Sequence, residues 1–316
     1  MKSILLLGGT GFVGSRVCSK LASQGLNVTL PTRRGASAGH LQHLPGVTVL
    51  EMDVHDEAAL ALAAAGHDAV VNLIAILHGS AAAFDKTHVV LPQKIARVCQ
   101  AQGIGKLVHV SALGVDGTRP GVEPSEYLRS KGRGEVVLQR AAAESALELT
   151  MLRPSVIFGA QDKFLNLFAR LQAVFPVMPL AGAHARFQPV WVDDVATAIV
   201  RSVERSVQRQ PSGSAVRIVE ACGPDVFTLK ELVQLSAQFS GCNQGRGRPV
   251  IALPEWMGRL QAMLMEFAPG PTLMSRDNLD SMKVDNVATG QVPGLQSLGI
   301  TPAALKPVAR DYLAKA

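Results

Sequence analysis

The segment Gly8-Gly9-Thr10-Gly11-Phe12-Val13-Gly14 constrains this chain more than any other, because it follows a strand-like run, Ile4-Leu5-Leu6-Leu7, and opens a helical pattern. Glycine at 8 and 11 permits a tight turn and close approach of a ligand to the backbone, while Gly14 lets the helix pack on the strand. The first N–H groups of such a helix attract an anion, so the turn formed with Thr10, Phe12 and Val13 reads as a phosphate cradle. Outside a strand-turn-helix frame the same glycines would be an ordinary turn.

The frame continues through the first half. Apolar runs at 3–7, 27–31, 47–52, 69–74, 106–111 and 148–153 read as strands. Between the first two, Val13, Val17 and Leu21 recur every fourth residue up to Gly25, and helical patterns at 57–65, 85–102 and 125–144 keep the alternation. This order predicts an α/β fold, a Rossmann-type doubly wound parallel sheet. Beyond Pro154 the pattern loosens into helices at 164–174, 193–203 and 229–239 and a strand at 216–219, with more frequent Pro and Gly. Residues 1–160 therefore read as a dinucleotide-binding domain whose sheet is completed by later elements, and 161–316 as a smaller mixed C-terminal lobe for substrate or partner. The glycine- and arginine-rich stretch 240–249 reads as a flexible loop.

The end of the second strand selects between nicotinamide dinucleotides: a carboxylate there bonds a ribose 2′-hydroxyl, whereas arginine accommodates a 2′-phosphate. This chain has Thr32-Arg33-Arg34 and no acid, with Arg16 close behind the glycine loop, so NADP(H) is expected over NAD(H). A solvated basic turn would have the same sequence. Asp53-Val54, after the third strand, is placed to meet the adenine, although an Asp capping the next helix would look identical. After the fourth strand, the backbone of Leu73 and Ala75 either runs beside the cofactor or is buried sheet.

Tyr127 and Lys131 stand four residues apart and so share one side of a helix that follows the fifth strand. A phenol, with an ordinary pKa of about 10, becomes a useful acid-base group when a neighbouring cation favours its phenolate. Lys131 could supply that charge and bond the nicotinamide ribose; a surface helical pair is the plainer alternative.

The glycine loop, Tyr127 with Lys131, and Arg153-Pro154-Ser155-Val156-Ile157-Phe158-Gly159 resemble the extended and atypical short-chain dehydrogenase/reductases over nearly the whole chain. Within that family, 127–131, 162–166 and 188–195 are similar to the NADPH-binding accessory subunit of respiratory complex I and its bacterial relatives. The resemblance implies a tightly held NADPH with Pro154 and Ile157 among its contacts, a hydrophobic C-terminal lobe and a link to ubiquinone or respiratory-chain biology. It also implies a Ser or Thr assisting the tyrosine. Here Ser111 occupies the first position of that segment, and Leu113 stands two residues later, where many extended members carry the working hydroxyl. Ser111 is thus either the third catalytic residue or a strand-end residue bonded to backbone.

Other chemistries recede. The 31 Lys and Arg against 25 Asp and Glu give +6, but these residues are dispersed and only 4% of the chain is aromatic, which argues against nucleic-acid binding. Cys18, Cys99, Cys222 and Cys242 form no C-x-x-C pair and the histidines no ligand spacing, so no metal site is expected. His109 reads as core or as support behind the site, and Asp193-Asp194 as capping and dipole partners of a helix start. The longest apolar stretch, 69–77, falls far short of the ~20 residues of a spanning helix. The expected setting is cytoplasmic, with attachment to the periphery of the inner membrane left open. Trp256, Met257, Leu260, Met263, Leu264 and Phe267 fall at helical spacing. A core-facing helix is the default, with an apolar substrate pocket or a membrane or partner surface as alternatives.

Three functions fit. The first is an NADP(H)-dependent oxidoreductase acting on a small hydrophobic carbonyl or quinone-like substrate, with Tyr127, Lys131 and Ser111 as its catalytic residues. The others are a non-catalytic NADPH-binding accessory or assembly protein of the respiratory chain or quinone biosynthesis, and an NADP(H)-sensing regulator.

Overall fold

Ile4, Leu5, Leu6 and Leu7 are all fully buried, but they serve two different cores. Ile4 and Leu6 face a cluster containing Val17, Leu21, Val195 and Ile199, whereas Leu5 and Leu7 face Leu60, Ile95, Leu138 and Leu149. A strand covered on both faces has no polar side to alternate with, which is why the run reads as uninterrupted leucine.

The computed structural model describes residues 3–116, 119, 121–208, 215–267 and 274–314. Its strands are β1 (Ser3–Leu7), β2 (Asn27–Thr32), β3 (Val47–Glu51), β4 (Ala69–Asn72), β5 (Lys106–Val110), β6 (Glu148–Pro154) and β7 (Ile157–Phe158). Short strands β8 (Met178–Leu180), β9 (Arg186–Phe187) and β10 (Val190–Trp191) precede β11 (Ala215–Ala221), β12 (Phe227–Thr228) and β13 (Val250–Ala252). The first helices are α1 (Phe12–Ser23), α2 (Glu57–Ala64), α3 (Ala81–Asp85), α4 (Leu91–Ala101), α5 (Glu126–Ala143) and α6 (Leu165–Val174). They are followed by α7 (Val192–Glu204), α8 (Leu229–Phe239), α9 (Glu255–Phe267), α10 (Arg276–Ser281) and α11 (Leu305–Leu313).

Seven parallel strands form the main sheet in the order β11-β6-β5-β4-β1-β2-β3. The order reverses between β1 and β4, and the crevice beyond their carboxyl ends is where open α/β sheets take ligands. The strand expected at 216–219 is β11, seated on the outer edge of this sheet against β6, and α7 packs beside α1 on the first core. A third cluster, with Phe158, Phe168, Phe187, Phe227 and Leu232, joins α6, α8 and α11.

Two helical expectations change. The pattern at 85–102 begins earlier, at Ala81 behind the Ser80 cap, and is interrupted by a π-helical turn over Lys86–Val90. Pro92 has no N–H to give the carbonyl four residues back, that of His88, so the helix re-registers there. That carbonyl lies so close to Gly134 of α5 that a Cβ at Gly134 would collide with it. The second correction concerns 256–267, which is helical but not core-facing: only Gly258 and Ala262 of α9 are buried.

Candidate functional site

The cradle is built from β1 and the start of α1. Gly8 turns the chain at φ +82°, the N–H of Gly11 donates to its carbonyl at 3.1 Å, and Gly11 starts α1 in extended conformation with no side-chain cap. The first-turn amides are thereby left for an external acceptor. A Cβ on Gly14 would overlap the carbonyl oxygen of Gly8 and the backbone of Gly9, so the helix can meet the turn only at glycine. A Cβ on Gly8 would come within 3.3 Å of the backbone of Leu73 and Ile74, which puts the end of β4 against the cradle. On the other side the Phe12 ring lies 3.3 Å from where a Cβ of Gly159 would be, so the chain just after β7 meets the first residue of α1.

At the end of β2 the Thr32 hydroxyl accepts from the N–H of Arg34 at 3.3 Å, folding the turn so that Arg33 and Arg34 are both exposed. Neither forms an ion pair among the described residues. The neighbouring acid, Glu51 at the end of β3, is held by the N–H of Gly35 at 2.8 Å. Arg16 is placed differently from the other two arginines: it lies 3.8 Å from Asp193 of α7, which also meets Lys20 at 3.6 Å. Asp193 therefore works as an ion-pair partner, while the Asp194 carboxylate accepts from the N–H of Ala303. No side chain caps α7, and of the expected roles at its first turn the favourable carboxylate charge is what remains. Asp53 does not cap α2; Asp56 does, and exposed Asp53 accepts from the N–H of His55 above buried Val54.

Tyr127 and Lys131 lie on α5, one turn apart. Lys131 is 1% exposed, and its ammonium donates to the carbonyl of Val110, the last residue of β5, at 2.8 Å. Burial lowers its pKa to about 8, opposed by the charge of Glu135 one turn on. Glu135 in turn receives a bidentate pair from Arg153 of β6, at 2.9 and 2.6 Å. Burial pushes the Tyr127 phenol up to about 12. Ser111, 3% exposed, has a buried hydroxyl oxygen with no hydrogen-bond partner among the described residues, and Leu113 is fully packed.

His88 was missed by the sequence reading. Its Nε2 accepts from the N–H of Ile76 at 3.1 Å, so the proton sits on Nδ1 and points to the Ser130 hydroxyl at 2.8 Å, which donates to the carbonyl of Tyr127. The imidazole thus ties the loop after β4 to the turn that carries Tyr127, and its ring stands edge-on to the phenol with centroids 5.5 Å apart. Burial and the nearby Lys131 and Arg133 lower its pKa to about 3, keeping it neutral. Behind it, fully buried His109 is lowered by the same desolvation and bonded to Asn72 at 3.0 Å, the supporting place expected for it.

The profile of the NAD dependent epimerase/dehydratase family matches residues 4–218, which hold the whole of this constellation. The chain belongs to that family. Among its curated relatives is NADH dehydrogenase (ubiquinone) 1 alpha subcomplex subunit 9, mitochondrial. The Arabidopsis thaliana protein of that name is 28% identical over 98% of this chain and 76% of its own length. The Mus musculus protein is 29% identical over 95% and 77%. Among solved structures, MoeE5 in complex with UDP-glucuronic acid and NAD superposes with a TM-score of 0.70 at 18% identity, covering 99% of this chain and 98% of that one.

This epimerase/dehydratase-family chain adds a contact from far along the sequence. Asp277 of α10 accepts from the N–H groups of Glu126 at 2.6 Å and Tyr127 at 3.1 Å, and Ser281 donates to Ser125, the N-cap of α5. No local pattern signals a cap supplied from about 150 residues away. Beside it lies a cavity of about 330 Å³ lined by His78, Phe84, Glu266, Arg276 and Asp277, a polar wall next to the Tyr127 turn. Among the described residues no group of His, Cys, Asp and Glu is arranged to hold a metal ion, and no helix is long and apolar enough to cross a membrane.

Proposed function

We infer that this chain binds NADP(H) as a resident part of its fold and serves as an accessory or assembly module of a respiratory complex. The observation that carries the cofactor half is the uncapped start of α1, with Gly8 at a positive φ and Gly14 where no Cβ fits, followed at the next strand end by two exposed arginines free of ion pairs among the described residues. The amides of 8–14 would hold the pyrophosphate and Arg33 and Arg34 the 2′-phosphate. Asp53 and Val54 would meet the adenine, Leu73, Ala75, Pro154 and Ile157 the remainder, and Lys131 the ribose, exchanging Val110 for a sugar hydroxyl. Arg16 would join the phosphate by leaving Asp193. The module half draws on similarity to complex I subunits over almost the full chain and on Leu113 at the expected hydroxyl position.

A second reading, an oxidoreductase on a hydrophobic carbonyl or quinone-like substrate, is favoured by one observation: the unpartnered Ser111 hydroxyl near the strand end beneath the Tyr127 helix. The dinucleotide would supply hydride, Tyr127 a proton to the substrate oxygen, and Ser111 a hydrogen bond to that oxygen. NADPH oxidation with short-chain quinones separates the two. Turnover by the wild type that Tyr127→Phe lowers by about 10²-fold or more supports the reductase, and no turnover across the panel supports the resident cofactor.

A further inference from the structure

The buried residues of helix α9 are its smallest. A Cβ on Gly258 would come within 2.7 Å of the Ala181 side chain, and only Gly258 and Ala262 are buried. The opposite stripe carries Trp256, Leu260, Leu264 and Phe267, exposed by 67, 47, 62 and 80%. Positions i, i+4, i+8 and i+11 share one helical face, so these side chains form a continuous apolar row turned away from the protein.

Ala181, against which Gly258 packs, directly follows β8, and more apolar side chains are exposed around that strand. Ile251 of β13, 54% exposed, is paired with Pro179 of β8, and just before β8 Val174 and Phe175 are exposed by 74 and 51%. Arg246 and Arg248 flank this ledge: the N–H of Arg248 donates to the Gln172 side chain at the end of α6, and the N–H of Met178 donates to the carbonyl of Pro249. Residues 163–192 contain Lys163, Arg170 and Arg186, and residues 232–254 contain Arg246 and Arg248, yet neither stretch holds an Asp or Glu. The acids around α9 are already matched: Glu255 with Lys283, Asp280 with Arg259 and Lys283, and Glu266 with Arg276.

We propose that α9 and the ledge at 174–179 and 251 dock the protein peripherally on an anionic lipid surface. The apolar row enters the headgroup boundary, with Trp256 as an amphipathic anchor, and Arg170, Arg246 and Arg248 meet lipid phosphates. An apolar face bordered by Arg170, Arg246 and Arg248, with the carboxylates around α9 held in ion pairs, complements a negatively charged bilayer. A second copy of the same face would set those arginines against one another.

Co-sedimentation of the full chain with vesicles of phosphatidylcholine, with or without phosphatidylglycerol, tests this. In a Trp191→Phe background, Trp256 fluorescence reports the same event. Pelleting with phosphatidylglycerol vesicles and a blue shift of Trp256 are expected. Leu260→Glu/Leu264→Glu should abolish both, and each of Arg246→Ala and Arg248→Ala should weaken partitioning by about fivefold. Because Leu260, Leu264 and Arg246 are exposed, their variants should keep the wild-type melting temperature, whereas Arg248→Ala also removes the bond from its Nε to the Gln172 carbonyl at 3.1 Å. No pelleting, equal retention on phosphatidylcholine alone, or a dimer in sedimentation velocity that the leucine variant dissociates without any vesicle binding would overturn the proposal.

Discussion

His88 shows how one side chain joins the cofactor edge to the Tyr127 turn. It can accept from Ile76 only while neutral, and its pKa is lowered from the ordinary 6.5 to about 3. Between those values the unfolded chain binds a proton that the folded chain refuses, so the stabilisation is complete above about pH 6.5 and is lost as the pH falls toward 3. The expected loss from this one site is up to about 1.4 kcal/mol per pH unit within that window. Urea denaturation from pH 7.5 to 4.5 should show an acid slope about one proton shallower in His88→Asn than in the wild type, with buried His109 sustaining the remainder; identical slopes would remove His88 from this role. The site's local residues were legible in the sequence, because the spacing of Gly8, Gly11 and Gly14, and of Tyr127 and Lys131, is itself the geometry. His88 and Ser130 were not, since their pairing spans 42 residues and depends on how two helices meet.

At the scale of elements, α5 is held at its start by α10. Ser125 supplies the local cap and Asp277 brings a carboxylate to the next two amides, where it also meets the positive end of the helix dipole. Asp277→Ala should cost about 1–2 kcal/mol, read as a drop of a few degrees in melting temperature, while Asp277→Asn should recover part of it. An unchanged melting temperature in Asp277→Ala would mean that the contact contributes no net stability. The first six strands lie within one or two residues of where their apolar runs put them: β1 and β4 are buried on both faces, and edge strand β3, with no buried residue, is still marked by its short apolar run. The break at Lys86–Val90 needed the consequence of Pro92 to be followed back to the His88 carbonyl. α9 shows the limit of periodicity: helical spacing identifies an apolar face but is silent on what covers it.

Across the whole molecule, the strand order places β1 and β4 at the reversal, and the glycine turn and the Arg33-Arg34 turn follow the carboxyl ends of β1 and β2, while Lys131 of α5 reaches the carboxyl end of β5. The exposed α9 row carries none of the residues assigned to the cofactor, so cofactor binding and surface docking can be altered separately. The central claim is that the crevice takes the 2′-phosphorylated dinucleotide. Calorimetric titration of NADPH and NADH into the wild type and Arg33→Ala/Arg34→Ala measures it directly. NADPH should bind at least about tenfold more tightly than NADH to the wild type, and the double variant should lose that preference while retaining NADH affinity. Equal or tighter binding of NADH by the wild type, or no binding of either nucleotide to the folded protein, would contradict the account.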